Sequence, residues 1–185
     1  MPNHYAVVCF CSADWDLLEQ KGIEDVDFEP LKEVDLCRAV LPMPSVFENI
    51  VSANVPCRYR HKQTGEIHQG CNGPTKDHEQ WEKVNLEQEE IDALKAEHGA
   101  ATWYEWCPKY WGTKWGTYDL DVRQVGGDGI PVVIEFQCAW SPPFPNVLAL
   151  IEQYLSENYC LGNFNWLGHD PANDTIKSLN HSVLI

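Results

Sequence analysis

The sequence predicts an α+β fold in which helices cover one face of a mostly antiparallel sheet. Two observations carry this prediction. Residues 118–122 and 132–140 alternate apolar and polar side chains on either side of a glycine-rich stretch, which is typical of a β-hairpin. Residues 147–155 then place apolar side chains at i, i+3, i+4, i+7 and i+8, the period of an amphipathic helix.

Further stretches have the composition of regular secondary structure: a strand over residues 5–11, a helix over 12–20, a buried segment over 34–41, a helix over 46–51 and a strand within 160–167. Asn85 and Gln88 form a capping-box pattern, which predicts a helix that starts at Asn85 and ends before Gly99. The hairpin is expected to turn at residues 126–129.

The order of these elements is strand, helix, strand, strand, helix, strand, with extra helical pieces before the hairpin. Helices on one face of an antiparallel sheet satisfy the layer rule for α+β domains. We therefore expect a ferredoxin-like α+β sandwich, with residues 1–185 forming a single domain. Residues 54–84 are polar and interrupted by glycines, so we expect residues 54–98 to be an insertion made of a polar loop and an acidic helix.

Acidic residues outnumber lysine and arginine by 28 to 13, which gives a formal net charge of −15. Residues 14–35 hold nine acids and two lysines, and residues 77–97 hold eight acids and two lysines. These two segments therefore carry most of the excess charge. A field of this sign repels phosphate backbones and attracts basic surfaces. We expect no direct nucleic-acid binding, and a basic protein or nucleoprotein complex as the partner.

Eight acids in these two segments are the candidate partner-binding residues: Glu24, Asp25, Asp27, Glu29, Glu87, Glu89, Glu90 and Asp92. The alternative is a solvated surface that only promotes solubility, which is the commonest role of a charge run. No stretch of about 18 apolar residues suits a membrane span, and residues 1–13 lack a basic segment typical of a secretory signal. We therefore expect a cytoplasmic protein with reduced cysteines and no membrane contact.

Two cysteines and two histidines lie close together in the polar segment, at Cys57, His61, His68 and Cys71. Zinc takes four such ligands in a tetrahedron, and one ion could order a segment with little core of its own. The spacing matches no standard zinc finger. The sequence leaves open one structural zinc or a chance enrichment, and it supports no other cofactor.

Residues 103–115 contain six tryptophan or tyrosine residues. One interpretation is a ligand pocket that stacks a base or clasps a cation, with these side chains: Trp106, Trp111, Lys114, Trp115 and Trp140. The interpretation that we favour is that the rings fill the core, with the lysine stem lying over them.

No pattern typical of an enzyme is complete in the sequence. Ser141 lacks the surrounding Gly-x-Ser-x-Gly of a nucleophile turn. Cys107 precedes a proline and is the thiol most suited to reaction, but no histidine can be assigned to activate it. A zinc- or cysteine-dependent enzyme stays an alternative, and we assign no catalytic residue.

Three motifs together resemble the YubB-type ferredoxin-like family, whose members are small proteins of largely unknown function carried on plasmids and phages. They are residues 98–107, Trp-Gly-Thr-Lys-Trp at 111–115 and Ala-Trp-Ser-Pro-Pro at 139–143. Residues 1–3 and 41–44 are similar to two further marks of that family. The resemblance implies a ferredoxin-like fold and an origin on a mobile element, and it implies no catalytic residues.

Charge and resemblance together predict a phage or plasmid accessory protein that acts by binding. The concrete hypothesis is an acidic inhibitor of a host nucleic-acid-targeting defence complex, of anti-CRISPR or anti-restriction type, which competes with phosphates for arginines and lysines. The alternative is a protein that binds or sequesters a small ligand in the tryptophan-rich pocket. Salt separates the two, because it screens acidic-face binding more than binding in an aromatic pocket.

Overall fold

The structure, a computed structural model, describes residues 4–125 and 131–180. The chain forms two compact units. The first unit combines the chain up to Pro42 with the chain from Trp111 onward, and the second unit is Met43–Tyr110. The second unit is therefore longer than the insertion predicted over residues 54–98.

A five-stranded sheet organises the first unit. Its strands are β1 (His4–Ala13), β4 (Thr117–Gln124), β5 (Pro131–Ala139), β6 (Leu161–Asp170) and β7 (Thr175–Ser178). They lie in the order β4-β5-β1-β6-β7, and each described pair of neighbours is antiparallel. The predicted α+β class with a mostly antiparallel sheet is confirmed, and so is the pairing of the two hairpin strands. The predicted turn at residues 126–129 lies outside the described residues.

One face of this sheet forms the core, because alternate side chains of a strand point to the same side. On β1 the buried residues are Tyr5, Val7, Cys9 and Cys11. Their register partners on β5 are also buried, and they are Cys138, Phe136, Ile134 and Val132. The sequence alternation therefore predicts this face of the sheet correctly.

Three α-helices and a 3-10 helix complete the first unit: α1 (Trp15–Lys21), α2 (Leu36–Val40), α5 (Pro145–Tyr159) and the 3-10 helix Glu29–Glu33. Helix α5 begins at Pro145 and buries Val147, Leu148, Ile151 and Leu155. Helix α1 begins later than predicted, because residues 12 and 13 belong to β1 and Asp14 caps the helix by accepting a hydrogen bond from the Leu17 amide (3.2 Å).

Asp35 joins α2 to β4. Its Oδ1 accepts hydrogen bonds from the Arg38 amide (3.2 Å), which caps α2, and from the amide and hydroxyl of Thr117 (both 3.1 Å). Gly116 precedes this contact with φ +78, and a Cβ there would lie 2.5 Å from Asp35 Oδ2. Only glycine fits at this position, because the backbone is left-handed and the carboxylate occupies the space of a side chain.

The second unit contains a hairpin that the sequence did not predict. Strands β2 (Cys57–His61) and β3 (Trp81–Asn85) pair antiparallel across residues expected to form a loop. Helices α3 (Gln88–His98) and α4 (Trp103–Tyr110) follow, and two 3-10 helices, Ser45–Asn49 and His78–Gln80, complete the unit. The predicted helix end at Gly99 is confirmed (φ +75). The predicted capping box is wrong, because Asn85 is the last residue of β3 and Glu87 occupies the N-cap.

Among the described residues, no helix combines the length and the apolar character that a membrane crossing requires.

Candidate functional site

The first acidic cluster, which we define as Glu24, Asp25, Asp27 and Glu29, lies in the segment that follows α1 in the first unit. All four side chains are exposed. Gly22 ends α1 in a left-handed conformation (φ 66), and the amide of Ile23 bonds back to the carbonyl of Leu18 (3.0 Å). This glycine cap reverses the chain and thereby fixes the path of the acidic segment.

The lysines of this segment do not neutralise most of the first acidic cluster. Lys21 donates to the carbonyl of Glu157 (2.6 Å) at the end of α5, and Lys32 forms an ion pair with Glu29 (3.0 Å). Within the described parts of the chain, Glu24, Asp25 and Asp27 therefore have no ion pair.

A groove opens beside the first acidic cluster. It encloses about 260 Å³, and its lining includes Trp15, Leu18, Glu24, Asp25, Val26, Phe28 and Tyr159. Trp15 has the largest side chain among the lining residues, and 57% of its surface is exposed. Phe28 and Tyr159 stack with ring centroids 6.0 Å apart and planes inclined by 24°. Burial raises the pKa of the Tyr159 hydroxyl, so this hydroxyl is uncharged at physiological pH.

The aromatic half of this groove is not apparent from the sequence. Trp15 begins α1, Phe28 precedes the 3-10 helix, and Tyr159 ends α5. The sequence places these rings in three separate segments, so spacing alone does not connect them. The one available sign is Trp15, a large apolar residue next to two aspartates at a helix start.

The second acidic cluster, which we define as Glu87, Glu89, Glu90 and Asp92, lies at the N-terminal end of α3 in the second unit. Glu90 pairs with Arg58 of β2, and Asp92 Oδ1 accepts a hydrogen bond from the side-chain Nε2 of Gln88 (2.9 Å). Negative charge in the first turn of a helix also favours the helix itself. Part of this cluster thus stabilises the second unit.

Two of the predicted pocket tryptophans are core residues. Trp111 is 1% exposed, and its Nε1 donates to the carbonyl of Leu41 (2.8 Å). Trp106 of the second unit is 5% exposed and packs against Tyr110. A buried ring without an open face cannot stack a ligand, so the pocket interpretation is wrong for these two residues and the packing interpretation holds.

Trp140 is the exposed member of the predicted pocket, with 61% of its surface accessible. The ammonium of Lys114 lies 4.5 Å from its ring centroid and 5.4 Å from that of Trp115. Trp140 adopts φ 76, which is a strained conformation for a bulky residue. The neighbouring backbone is fixed, since Lys114 N and Thr113 Oγ1 both donate to the Ala139 carbonyl (3.2 and 3.0 Å).

The four predicted zinc ligands do not come together. No group of three or more His, Cys, Asp or Glu residues in the described ranges is arranged to hold a metal ion. Cys57 is buried at the start of β2, and Cys71 Sγ bonds to the Phe47 carbonyl (3.5 Å). The imidazoles of His61 and His68 both pack edge-on against Trp81. The hairpin and the Trp81 ring therefore order this segment through contacts of its own.

The nucleophiles that the sequence offered are engaged or buried. Ser141 donates its hydroxyl to the Gly112 carbonyl (2.5 Å), which is a structural hydrogen bond of the turn. Cys107 is 1% exposed. Burial also raises the pKa of Cys57 and Cys138, so these thiols stay protonated and unreactive at neutral pH. None of these side chains has the geometry of an activated nucleophile.

No protein family, curated protein or solved structure matches the chain.

Proposed function

We propose that the protein acts by binding a basic protein partner through the first acidic cluster. The observation that carries the proposal is the lack of local neutralisation. Glu24, Asp25 and Asp27 are exposed, while Lys21 is held at the end of α5 and Lys32 is held by Glu29. Exposed carboxylates without a partner attract basic surfaces and accelerate their association.

The partner that we propose is a nucleic-acid-targeting defence complex of a bacterial host, either a CRISPR effector or a restriction system. The protein would then be an accessory protein of a phage or plasmid that works in the host cytoplasm. Channels that hold nucleic acids are lined by arginine and lysine, and carboxylates compete with phosphates for these groups. The net charge of −15 and the resemblance of residues 98–107, 111–115 and 139–143 to the YubB-type family support this proposal.

We also propose that the first unit is a ferredoxin-like domain. The strands β1, β4, β5 and β6 are the first to fourth strands of a strand-helix-strand-strand-helix-strand chain. Their order in the sheet, second-third-first-fourth with antiparallel neighbours, is the order of that architecture. Strand β7 extends the sheet beyond it.

The experiment is a pull-down of host proteins with the tagged full chain at low ionic strength, followed by a salt step and mass spectrometry. We expect a basic nucleic-acid-handling protein to elute with salt, and the purified protein to block nucleic-acid cleavage by that complex. The test variant removes four charges, as E24Q/D25N/D27N/E29Q. The control removes four exposed charges elsewhere, as E66Q/E79Q/E97Q/D119N. Equal capture by both variants would contradict the proposal.

A second candidate function is the binding of a small ligand on Trp140. The exposed Trp140 ring, the left-handed backbone that carries it and the Lys114 ammonium above the ring favour this candidate. Exposed aromatic faces stack planar or cationic ligands. Native mass spectrometry of the purified protein tests it, because a ligand lost in the Trp140→Ala variant would identify the site. Wild-type protein that carries no small molecule would remove this candidate.

A further inference from the structure

The groove beside the first acidic cluster has the chemistry of a pocket for one basic side chain. Its apolar lining includes Leu18, Val26, the exposed Trp15 ring and the stacked pair of Phe28 and Tyr159. Its charged lining residues, in the described part of the chain, are Glu24 and Asp25, both acidic. A site with aromatic walls and an acidic rim favours an organic cation.

The size and donor pattern narrow the class of cation. A groove of about 260 Å³ accommodates one extended amino-acid side chain. Two adjacent carboxylates offer up to four oxygens as acceptors, of which Asp25 Oδ1 already accepts from the Val26 amide (2.9 Å). A quaternary ammonium has no N–H to donate to these oxygens. A guanidinium has five N–H donors in a planar fork and also stacks on aromatic faces.

We propose that this groove binds an arginine side chain of the basic partner. The guanidinium of this arginine would lie between Trp15 and the carboxylates of Glu24 and Asp25, and its aliphatic stem would contact the apolar lining of the groove. The proposal rests on the proposed function, since it names the contact through which the first acidic cluster engages its partner. An arginine that is anchored in an aromatic pocket is a common centre of binding energy in protein interfaces.

Trp15 supports this proposal by its position. It is the first residue of α1, where Asp14 already caps the helix, so α1 does not need an exposed indole at this position. Within the described residues, the Trp15 ring makes no hydrogen bond and no ring contact that would hold it for a structural purpose. The Trp15 ring is 57% exposed and lines one groove with Phe28 and Tyr159 beside two acids, and a contiguous apolar surface rimmed by polar groups is typical of a binding site.

The test uses the purified full chain and two fluorescent peptides, octa-arginine and octa-lysine, at low ionic strength. We expect octa-arginine to bind at least fivefold more tightly than octa-lysine. Trp15→Ala should weaken octa-arginine binding at least fivefold without changing the net charge. The matched control is Tyr104→Ala, an exposed ring of the second unit, which should change the affinity less than twofold.

A second comparison tests the role of charge with E24Q/D25N and E66Q/E79Q, each of which removes two negative charges. We expect only E24Q/D25N to reduce the preference for arginine over lysine. NMR detection of the Trp15 indole N–H, assigned with Trp15→Phe, should show this resonance shifting on addition of N-acetyl-arginine amide.

Two results would overturn the arginine pocket. One is equal affinity for the two peptides. The other is equal loss in the groove variants and their controls, which indicates attraction by net charge alone. If salt-sensitive capture of a host protein still depends on the first acidic cluster in that case, the proposed function stands without the groove. If the groove prefers arginine but no such capture occurs, the proposed function is wrong and the site remains.

Discussion

Replacing Trp111 with alanine is the most direct test of whether the tryptophan-rich stretch is core or binding surface. The indole is 1% exposed and its Nε1 donates to the Leu41 carbonyl (2.8 Å). Its neighbour Gly112 has φ +85, and a Cβ there would lie 2.6 Å from the ring of Phe144. The turn that carries Trp111 is therefore tightly packed and cannot readily move into a cavity.

The expected loss follows from the removed volume and the lost hydrogen bond. Truncation of a buried tryptophan costs about 3–5 kcal/mol because the cavity collapses only in part. The unpaired Leu41 carbonyl adds about 1 kcal/mol or more. For a chain of this length, these losses lower the melting temperature by roughly 8–24 °C. Trp111→Phe keeps most of the volume and should lose a smaller part of this stability.

The assay is urea unfolding followed by circular dichroism, with Trp140→Ala as the matched control. Trp140 is 61% exposed, so removing its ring should change the free energy of unfolding by about 1 kcal/mol or less. Its left-handed backbone (φ 76) is strained in the wild type and in the alanine variant alike. Equal unfolding midpoints for the Trp111→Ala protein and the wild type would refute the packing argument.

Three further predictions concern the buried groups. Gly116→Ala should lower the free energy of unfolding, measured in urea, by about 1–3 kcal/mol. The backbone at this position is left-handed, and the new Cβ would lie 2.5 Å from Asp35 Oδ2. The control Gly65→Ala introduces the same backbone strain without a clash, so it should cost less. Iodoacetamide at pH 8 should modify the native protein first at Cys71, since Cys71 is partly exposed and the other seven thiols are buried. Peptide mapping that finds modification of Cys107 before Cys71 would contradict this prediction. The free energy of unfolding should fall as the pH rises above about 9. Burial raises the pKa of the Cys138 thiol in the folded protein, so the unfolded chain loses this proton at a lower pH. A free energy of unfolding that stays constant between about pH 8 and 10.5 would contradict this sign.

The fold was predictable where one local pattern determines one element. The alternation of Val132, Ile134, Phe136 and Cys138 places these residues on one face, and the period of α5 leaves only one packed side. The hairpin of β2 and β3 was not predictable in this way. Its strands carry Arg58, Arg60, Glu82 and Lys83, of which Arg60 and Glu82 form a cross-strand ion pair, so no apolar alternation marks these strands in the sequence.

The candidate site was predictable in charge and not in shape. Composition identifies Glu24 and Asp25 as acidic and unbalanced. The groove needs three rings from distant segments, and only the folded chain brings Trp15 beside Phe28 and Tyr159. The arrangement of the four possible zinc ligands was not predictable from spacing either, because the pairing of β2 with β3 fixes Cys57 and His61 at opposite ends of β2.

The two exposed tryptophans of the first unit differ in what their surroundings require. The strained backbone of Trp140 is accounted for by the turn at its side, because Thr113 and Lys114 bond to the Ala139 carbonyl and Ser141 bonds to Gly112. Lys114 also covers its ring. Trp15 has no comparable contact, and the acids beside it have no cation in the described residues. Since an uncovered ring and unneutralised carboxylates gain most from the same cationic partner, the groove at Trp15 is the stronger candidate for the binding site.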